Sequence, residues 1–142
     1  MTLYLDSTAL VKLYVRERGA KVVKAAVKEA DQVATIVTGY AEARAGLARR
    51  YWEGVLAEKS LRTAVAALDR DWPAFAAIEV TGDLAKLAGK LAERYSLTGT
   101  EAVNLAAAAM LKRECNEMRF LCFTEQLRAA ADNLLASVRK AN

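Results

Sequence analysis

Histidine is absent from this 142-residue chain, which contains only one proline and two cysteines. Without an imidazole, catalytic triads of the Ser-His-Asp and Cys-His kinds are excluded. The two thiols, Cys115 and Cys122, predict neither a disulfide framework nor a zinc centre, and we interpret both as reduced core residues. Any catalysis by this chain therefore depends on carboxylates, hydroxyls, lysines or a metal ion held by oxygen.

Long apolar segments are also missing. The longest apolar run, residues 105–111, is much shorter than the about 20 residues that a membrane-spanning helix needs. Near the N-terminus, Asp6 and Lys12 interrupt the apolar residues, which is not the pattern of a secretory signal peptide. We therefore expect a cytoplasmic protein. The formal charge of +4 favours contact with a polyanion without specifying one.

The composition predicts a globular protein rich in helix. Hydrophobic residues make up 54% of the chain, which supplies a core and argues against disorder. A length of 142 residues suits one domain and is too short for two, so we predict a single domain over residues 1–142.

Short strand-like segments alternate with helical patterns along the chain. The predicted strands cover residues 3–5, 32–37, 75–80 and 119–123. The predicted helices cover residues 8–16, 20–30, 38–52, 55–71, 81–94, 101–113 and 124–135. The tail, residues 136–142, fits either a short edge strand or a frayed helix. This alternation predicts an α/β fold with a parallel sheet covered on both faces.

Carboxylates follow the predicted strands or begin the predicted helices. Asp6 follows the first strand, and Glu42 lies early in the helix after the second. Glu101 begins a helix, while Thr124 and Glu125 follow the fourth strand. In a parallel sheet these points can meet at one edge. Converging carboxylates repel one another without a cation, and ligation by oxygen alone suits Mg²⁺ or Mn²⁺.

Each of these residues also has a purely structural interpretation. Asp6 or Ser7 suits the N-cap of the first helix. Thr98 and Glu101 have the spacing of a capping box, and Glu125 favours a helix N-terminus. The individual motifs leave both interpretations open.

In combination, the motifs resemble those of the PIN-domain nucleases, and in particular the VapC-type toxins of toxin-antitoxin pairs. The matching segments span nearly the whole chain and are residues 5–12, 40–50, 99–106 and 123–131. The resemblance implies a three-layer α/β/α sandwich with a central parallel sheet of four or five strands. It also implies an acidic pocket that binds Mg²⁺ or Mn²⁺ and cleaves RNA.

Carried over to this chain, the resemblance implies catalytic roles for Asp6, Glu42, Glu101 and Thr124, with the three acids as metal ligands. Asp6 and Glu42 match the family pattern directly. Glu101 stands where the family usually has Asp, Asn104 where it often has His, and Thr124 where a further Asp is usual. Because Glu101 is longer and Thr124 is uncharged, these departures favour a weaker metal site.

The function implied by the resemblance is a Mg²⁺- or Mn²⁺-dependent endoribonuclease, the toxin of a type II toxin-antitoxin system. Its implied partners are an RNA substrate, a small antitoxin protein and a second copy in a homodimer. The alternative is a catalytically impaired PIN-like module that binds RNA or an antitoxin without turnover. A third interpretation is a structural α/β domain whose acids are all helix caps.

Basic and aromatic residues near the proposed edge are candidates for RNA contact. Cations suit phosphates, and exposed aromatic rings suit base stacking. The alternative for the same residues is a solvated helix face and core aromatics. The candidates are Lys12, Tyr14, Arg16, Arg18, Arg44, Arg49, Arg50, Tyr51 and Trp52.

Overall fold

The computed structural model describes residues 1–141, and within them it contains four β-strands, seven α-helices and one short 3-10 helix. The strands are β1 (Thr2–Leu5), β2 (Gln32–Ile36), β3 (Ala76–Ile78) and β4 (Met118–Leu121). The helices are α1 (Ser7–Val11), α2 (Ala20–Glu29), α3 (Gly39–Trp52), α4 (Glu58–Asp71), α5 (Gly82–Tyr95), α6 (Gly99–Lys112) and α7 (Glu125–Ser137), and the 3-10 helix is Trp72–Ala74.

The four strands form one parallel sheet in the order β3-β2-β1-β4. Thr2 of β1 lies opposite Gln32 of β2 on one side and opposite Met118 of β4 on the other. Parallel neighbours require long crossover connections, and the helices provide them. The predicted α/β/α sandwich with a parallel sheet is confirmed, with four strands in the described part of the chain.

Side chains of β1 alternate between two cores, one on each face of the sheet. Tyr4 packs into a cluster with residues of α5, α6 and α7. Leu3 and Leu5 pack into a second cluster, with residues of α1 to α4. All three side chains have no exposed surface. This burial on both faces explains why β1 is read as a continuous apolar run in the sequence.

The first helix is shorter than predicted, because α1 ends at Val11 and not at Arg16. The backbone then tightens, with the amides of Leu13 and Tyr14 donating to carbonyls three residues earlier. This bend returns Val15 to a small cluster formed with residues of α3 and α4. Burial of Val15 therefore stabilises a turn where the apolar periodicity alone favours helix.

The start of α4 is also later than predicted, at Glu58 instead of Val55. Gly54 has a φ of 79°, which ends α3 in a left-handed turn that glycine adopts without strain. The amides of Val55 and Leu56 both donate to the carbonyl of Arg50, at 2.8 and 3.1 Å. These two hydrogen bonds satisfy the backbone amides of residues 55 and 56 in the turn between α3 and α4.

The third strand has three residues, Ala76–Ile78, where six were predicted. Its start is limited by the 3-10 helix, since the Phe75 amide donates to the carbonyl of Trp72. At the end of β3, a hydrogen bond of 2.8 Å joins the carbonyl of Ile78 to the amide of Val37, the residue after β2. Glu79 and Val80 are exposed beyond that bond.

The chain continues as helix through Ser137, so the first residues of the predicted tail belong to α7. Residues 138–141 form no strand, and the Ala141 amide donates to the carbonyl of Arg113. The prediction for Asn142 lies outside the described residues. Both cysteines are free; Cys122 is buried, as the core interpretation predicts, whereas Cys115 is only partly buried. No helix within residues 1–141 is long and apolar enough to cross a membrane.

Candidate functional site

Asp6 lies at the carboxyl end of the inner strand β1 and caps the helix that follows. Its Oδ1 accepts the Ala9 amide at 2.9 Å and the Thr8 hydroxyl at 2.7 Å. The Thr8 hydroxyl also accepts the amide of Phe123 at 3.2 Å, which connects the start of α1 to the segment after β4. The capping interpretation of Asp6 is confirmed, and the same contacts place its carboxylate at the sheet edge.

The environment of Asp6 disfavours its charged form. Burial raises the pKa of Asp6 from 3.8 to about 6, against hydrogen bonds from Thr8 and Ala9 that lower it. The negative charge of Glu42 raises the pKa of Asp6 further. The side chain is only 3% exposed. A buried carboxylate with a second carboxylate beside it is a site that a cation would stabilise.

Glu42 lies in the first turn of α3 and faces the start of α1. Its Oε2 accepts a short hydrogen bond from the Ser7 hydroxyl. The start of α3 lies close to β2 because Gly39 has no side chain; a β-carbon there would lie 3.5 Å from the Leu10 side chain of α1 and 3.0 Å from the Thr35 hydroxyl. That hydroxyl in turn donates to the Leu5 carbonyl at 2.8 Å. Packing of α1 against α3 thus brings Asp6 and Glu42 to one place.

Glu101 uses both carboxylate oxygens in hydrogen bonds. Oε1 accepts the Thr98 amide at 3.0 Å, and the Glu101 amide donates to the Thr98 hydroxyl at 3.2 Å, which completes a capping box. Oε2 accepts the hydroxyl of Thr124 at 3.1 Å. Partial burial alone would raise the pKa of Glu101, but the bonds from Thr98 and Thr124 outweigh it and the net direction is downward. The capping-box interpretation of Glu101 is confirmed.

Thr124 stands at the N-cap position of α7 but makes no side-chain cap there. Its hydroxyl is directed instead to Glu101, which lies on a different helix. The structure therefore joins two of the four predicted catalytic residues directly.

Asn104 is buried at 2% exposure and connects α6 to β1. Its Oδ1 accepts the Tyr4 hydroxyl at 2.9 Å, and its Nδ2 donates to the Thr100 carbonyl at 3.0 Å. Burial raises the pKa of Tyr4, and the charges of Asp6 and Glu42 raise it further. Sequence reasoning treated position 104 as a departure from the family and missed Tyr4, whose apolar neighbours hide its hydroxyl within a strand pattern.

A cleft of about 430 Å³ opens between α1 and α3 beside these residues. We call it the acidic cleft after Glu42, the one carboxylate among its described lining residues. Ser7, Glu42 and Thr100 line one part of it. Asp6, Glu101 and Thr124 are absent from the lining. The cationic residues that line it are Lys12, Arg49 and Arg50. The acidic cleft therefore combines a carboxylate with three side chains suited to phosphate.

The donor atoms around Asp6 and Glu42 are all oxygens, which fits Mg²⁺ or Mn²⁺. Within residues 1–141, however, no three Asp, Glu, Cys or His side chains are arranged to hold a metal ion. Both carboxylate oxygens of Glu101 accept hydrogen bonds within the protein, from Thr98 and Thr124. The assignment of Asp6, Glu42 and Glu101 as metal ligands stays a prediction.

Other candidate residues lie elsewhere. Glu125 is exposed and lines a different depression, with Tyr95 and Gln126. Arg44 contacts the hydroxyl of Tyr40 at 3.2 Å. Trp52 is 80% exposed and does not line the acidic cleft.

Sequence reasoning also missed Glu17, which accepts two hydrogen bonds from Arg50, at 2.8 and 2.9 Å, and one from Lys12 at 3.1 Å. No local signal marks Glu17, since Arg50 is 33 residues away along the chain.

A four-stranded parallel sheet between helical layers, with Asp6 at the carboxyl end of an inner strand and Glu42 beside it, defines a PIN-like α/β/α protein. No family model matches the chain. Two curated proteins of Mycobacterium tuberculosis do: Ribonuclease VapC45 of strain CDC 1551 / Oshkosh and Ribonuclease VapC49 of strain H37Rv. Each is 35% identical over 109 residues, which covers 74% of this chain and 73% of the relative. The chain belongs to the VapC ribonuclease family.

Proposed function

We propose that this chain is a Mg²⁺- or Mn²⁺-dependent endoribonuclease, the toxin of a type II toxin-antitoxin system. The observation that carries the proposal is the buried Asp6 carboxylate beside Glu42, next to a cleft lined by Lys12, Arg49 and Arg50. Membership of a family whose relatives are named ribonucleases supports it. Such a site attracts an RNA phosphate through its cations while its carboxylates attract a divalent ion.

In this proposal Asp6, Glu42 and Glu101 hold the ion. A bound Mg²⁺ or Mn²⁺ supplies Lewis acidity at the phosphodiester and favours deprotonation of the attacking water. The Thr8 hydroxyl orients Asp6, and the Ser7 hydroxyl orients Glu42.

Both carboxylate oxygens of Glu101 accept hydrogen bonds from the protein, so a metal ion competes with these donors, at a cost on the order of 1 kcal/mol for each bond lost. The Thr124 hydroxyl donates to the other oxygen of the same carboxylate. This cost is a physical reason to expect weaker metal binding than in a site with a shorter, uncapped aspartate.

The test is cleavage of a mixed RNA pool by the wild-type chain and by Asp6→Asn, each with Mg²⁺, with Mn²⁺ and with EDTA. We expect cutting that needs the metal and disappears in Asp6→Asn. Glu125→Gln is the matched control, because Glu125 is also an acid near a helix start but lies outside the acidic cleft. An equally active Asp6→Asn protein would refute the proposal.

A second candidate function is an RNA-binding or antitoxin-binding module without turnover. It is favoured by one observation: both oxygens of Glu101 are engaged within the protein. This alternative predicts equal RNA affinity with and without Mg²⁺, and no cleavage with any divalent ion by protein that is folded.

The proposed partners follow from the family resemblance. We propose a homodimer and a small antitoxin whose C-terminal segment covers the acidic cleft. Light scattering on the purified chain measures the first. Loss of cleavage when the protein encoded beside this gene is added measures the second.

A further inference from the structure

A second cleft, of about 680 Å³, shares the lining residue Arg50 with the acidic cleft. It lies between the turn after α1, the C-terminal end of α3 and helix α4. Its apolar lining includes Val15, Leu56 and Ala64. Its cationic lining residues are Arg16, Lys24, Arg50 and Lys59.

Arg50 lines both clefts, and its position is set by several hydrogen bonds. Its Nε and Nη2 donate to the Glu17 carboxylate at 2.9 and 2.8 Å, and its Nη1 donates to the Gly46 carbonyl at 2.8 Å. Gly46 leaves room for this, because a β-carbon there would lie 3.3 Å from Nη1. A bidentate pair of this kind holds the guanidinium in one orientation between the two clefts.

The second cleft has an excess of positive charge. Glu17 is the one acid among its described lining residues, and Arg50 and Lys12 already neutralise it. Within residues 1–141, no ion pair joins Arg16, Lys24 or Lys59 to a carboxylate. All three of these residues are exposed. Their charges are therefore available to a polyanion.

We infer that the second cleft binds single-stranded RNA on one side of the phosphate that lies in the acidic cleft. The inference rests on the proposed function and adds a binding site for the part of the RNA that lies outside the acidic cleft. Lys24 and Lys59 lie on different helices, so together with Arg16 they offer charge along both sides of the cleft. Repeated phosphates match such separated cations, and the apolar lining suits the faces of bases.

An acidic peptide is the competing occupant of a basic cleft. RNA is favoured because Arg50 lines both clefts, so the second cleft lies next to the cleft where the proposed function places an RNA phosphate. The hydroxyls of Ser60 and Thr63 also line the cleft and offer contacts to sugar or phosphate oxygens.

The test measures binding in EDTA, so that it does not depend on cleavage. The probe is a fluorescein-labelled single-stranded 12-nucleotide uridine RNA, and the variant is Lys24→Gln with Lys59→Gln. Losing two phosphate contacts should reduce the slope of log affinity against log salt by about 1.4 and weaken binding about 20-fold at 0.1 M salt. Thermal melting of the variant verifies its fold.

The matched control is Lys86→Gln with Lys90→Gln, which removes the same charge from exposed positions on α5. The control should bind RNA like the wild type. Equal slopes for the two double variants, or wild-type affinity in the Lys24/Lys59 variant, would overturn the inference. So would unchanged RNA affinity with weaker binding of a labelled glutamate-leucine peptide, which would assign the cleft to a protein partner. A wild-type chain that cleaves RNA in Mg²⁺ while the Lys24/Lys59 variant binds normally would refute this inference and leave the proposed function intact.

Discussion

Replacing Asp6 with asparagine should make the metal-free protein more stable at neutral pH. The side chain is 3% exposed, and burial with the nearby charge of Glu42 raises its pKa to about 6. Asparagine retains a side-chain oxygen to accept the Ala9 amide and the Thr8 hydroxyl, so the N-cap of α1 survives. The substitution therefore removes a buried charge while leaving its hydrogen bonds in place.

The sign of the pH dependence follows from which state binds the proton more tightly. The folded state holds the Asp6 proton more tightly than the unfolded state, whose pKa is near 3.8. Below pH 3.8 both states are protonated and the burial carries no penalty. Stability is then lost as the pH rises through about 6, by about 3 kcal/mol in total. The gain from Asp6→Asn should accordingly be near zero at pH 4 and about 3 kcal/mol above pH 6.5.

The assay is urea unfolding followed by circular dichroism, in EDTA, at intervals from pH 4 to pH 8. Glu125→Gln serves as the control, because it removes an exposed acid from the first turn of α7 and should give a small loss instead of a gain. Equal unfolding free energies for wild type and Asp6→Asn at every pH would refute the argument that this charge is costly to bury.

Metal binding should largely cancel the difference. Mg²⁺ at 100 times its dissociation constant stabilises a protein by about 2.7 kcal/mol. Under the proposed function this stabilisation belongs to the wild type and is lost in Asp6→Asn, because the variant lacks one of the ligand charges.

Three further substitutions test other contacts around the site. Gly19→Ala should lower stability by about 2 kcal/mol or more, since φ is +89° and the new methyl would lie 2.5 Å from the Phe123 ring; an unchanged melting temperature would contradict this. Thr124→Asp should tighten Mg²⁺ binding in calorimetry yet destabilise the protein in EDTA, because it places a second carboxylate beside that of Glu101. Asn104→Ala should cost about 2 kcal/mol by leaving the buried Tyr4 hydroxyl without its acceptor, and a double-mutant cycle with Tyr4→Phe should recover part of that loss.

Most of the fold was predictable because its signals are local. The apolar residues of β1, the β-branched residues of β2 and the helical periodicities between them identify a parallel α/β sandwich. The errors lie at element ends, where packing outweighs periodicity. Burial of Val15 stops α1 at Val11, and a bond from Phe75 to the 3-10 helix shortens β3.

In the candidate site, too, the local features were predictable from the sequence and the long-range contacts were not. The sequence by itself determined that acids follow the predicted strands and that Thr98 and Glu101 have the spacing of a capping box, since strand ends and caps depend on neighbouring residues. Only the tertiary structure decided that Thr124 bonds Glu101, that Tyr4 bonds Asn104, and that Glu17 holds Arg50 between two clefts. These contacts join residues 23 to 100 positions apart. Their formation depends on how the helices pack on the sheet, and no local pattern in the chain records that packing.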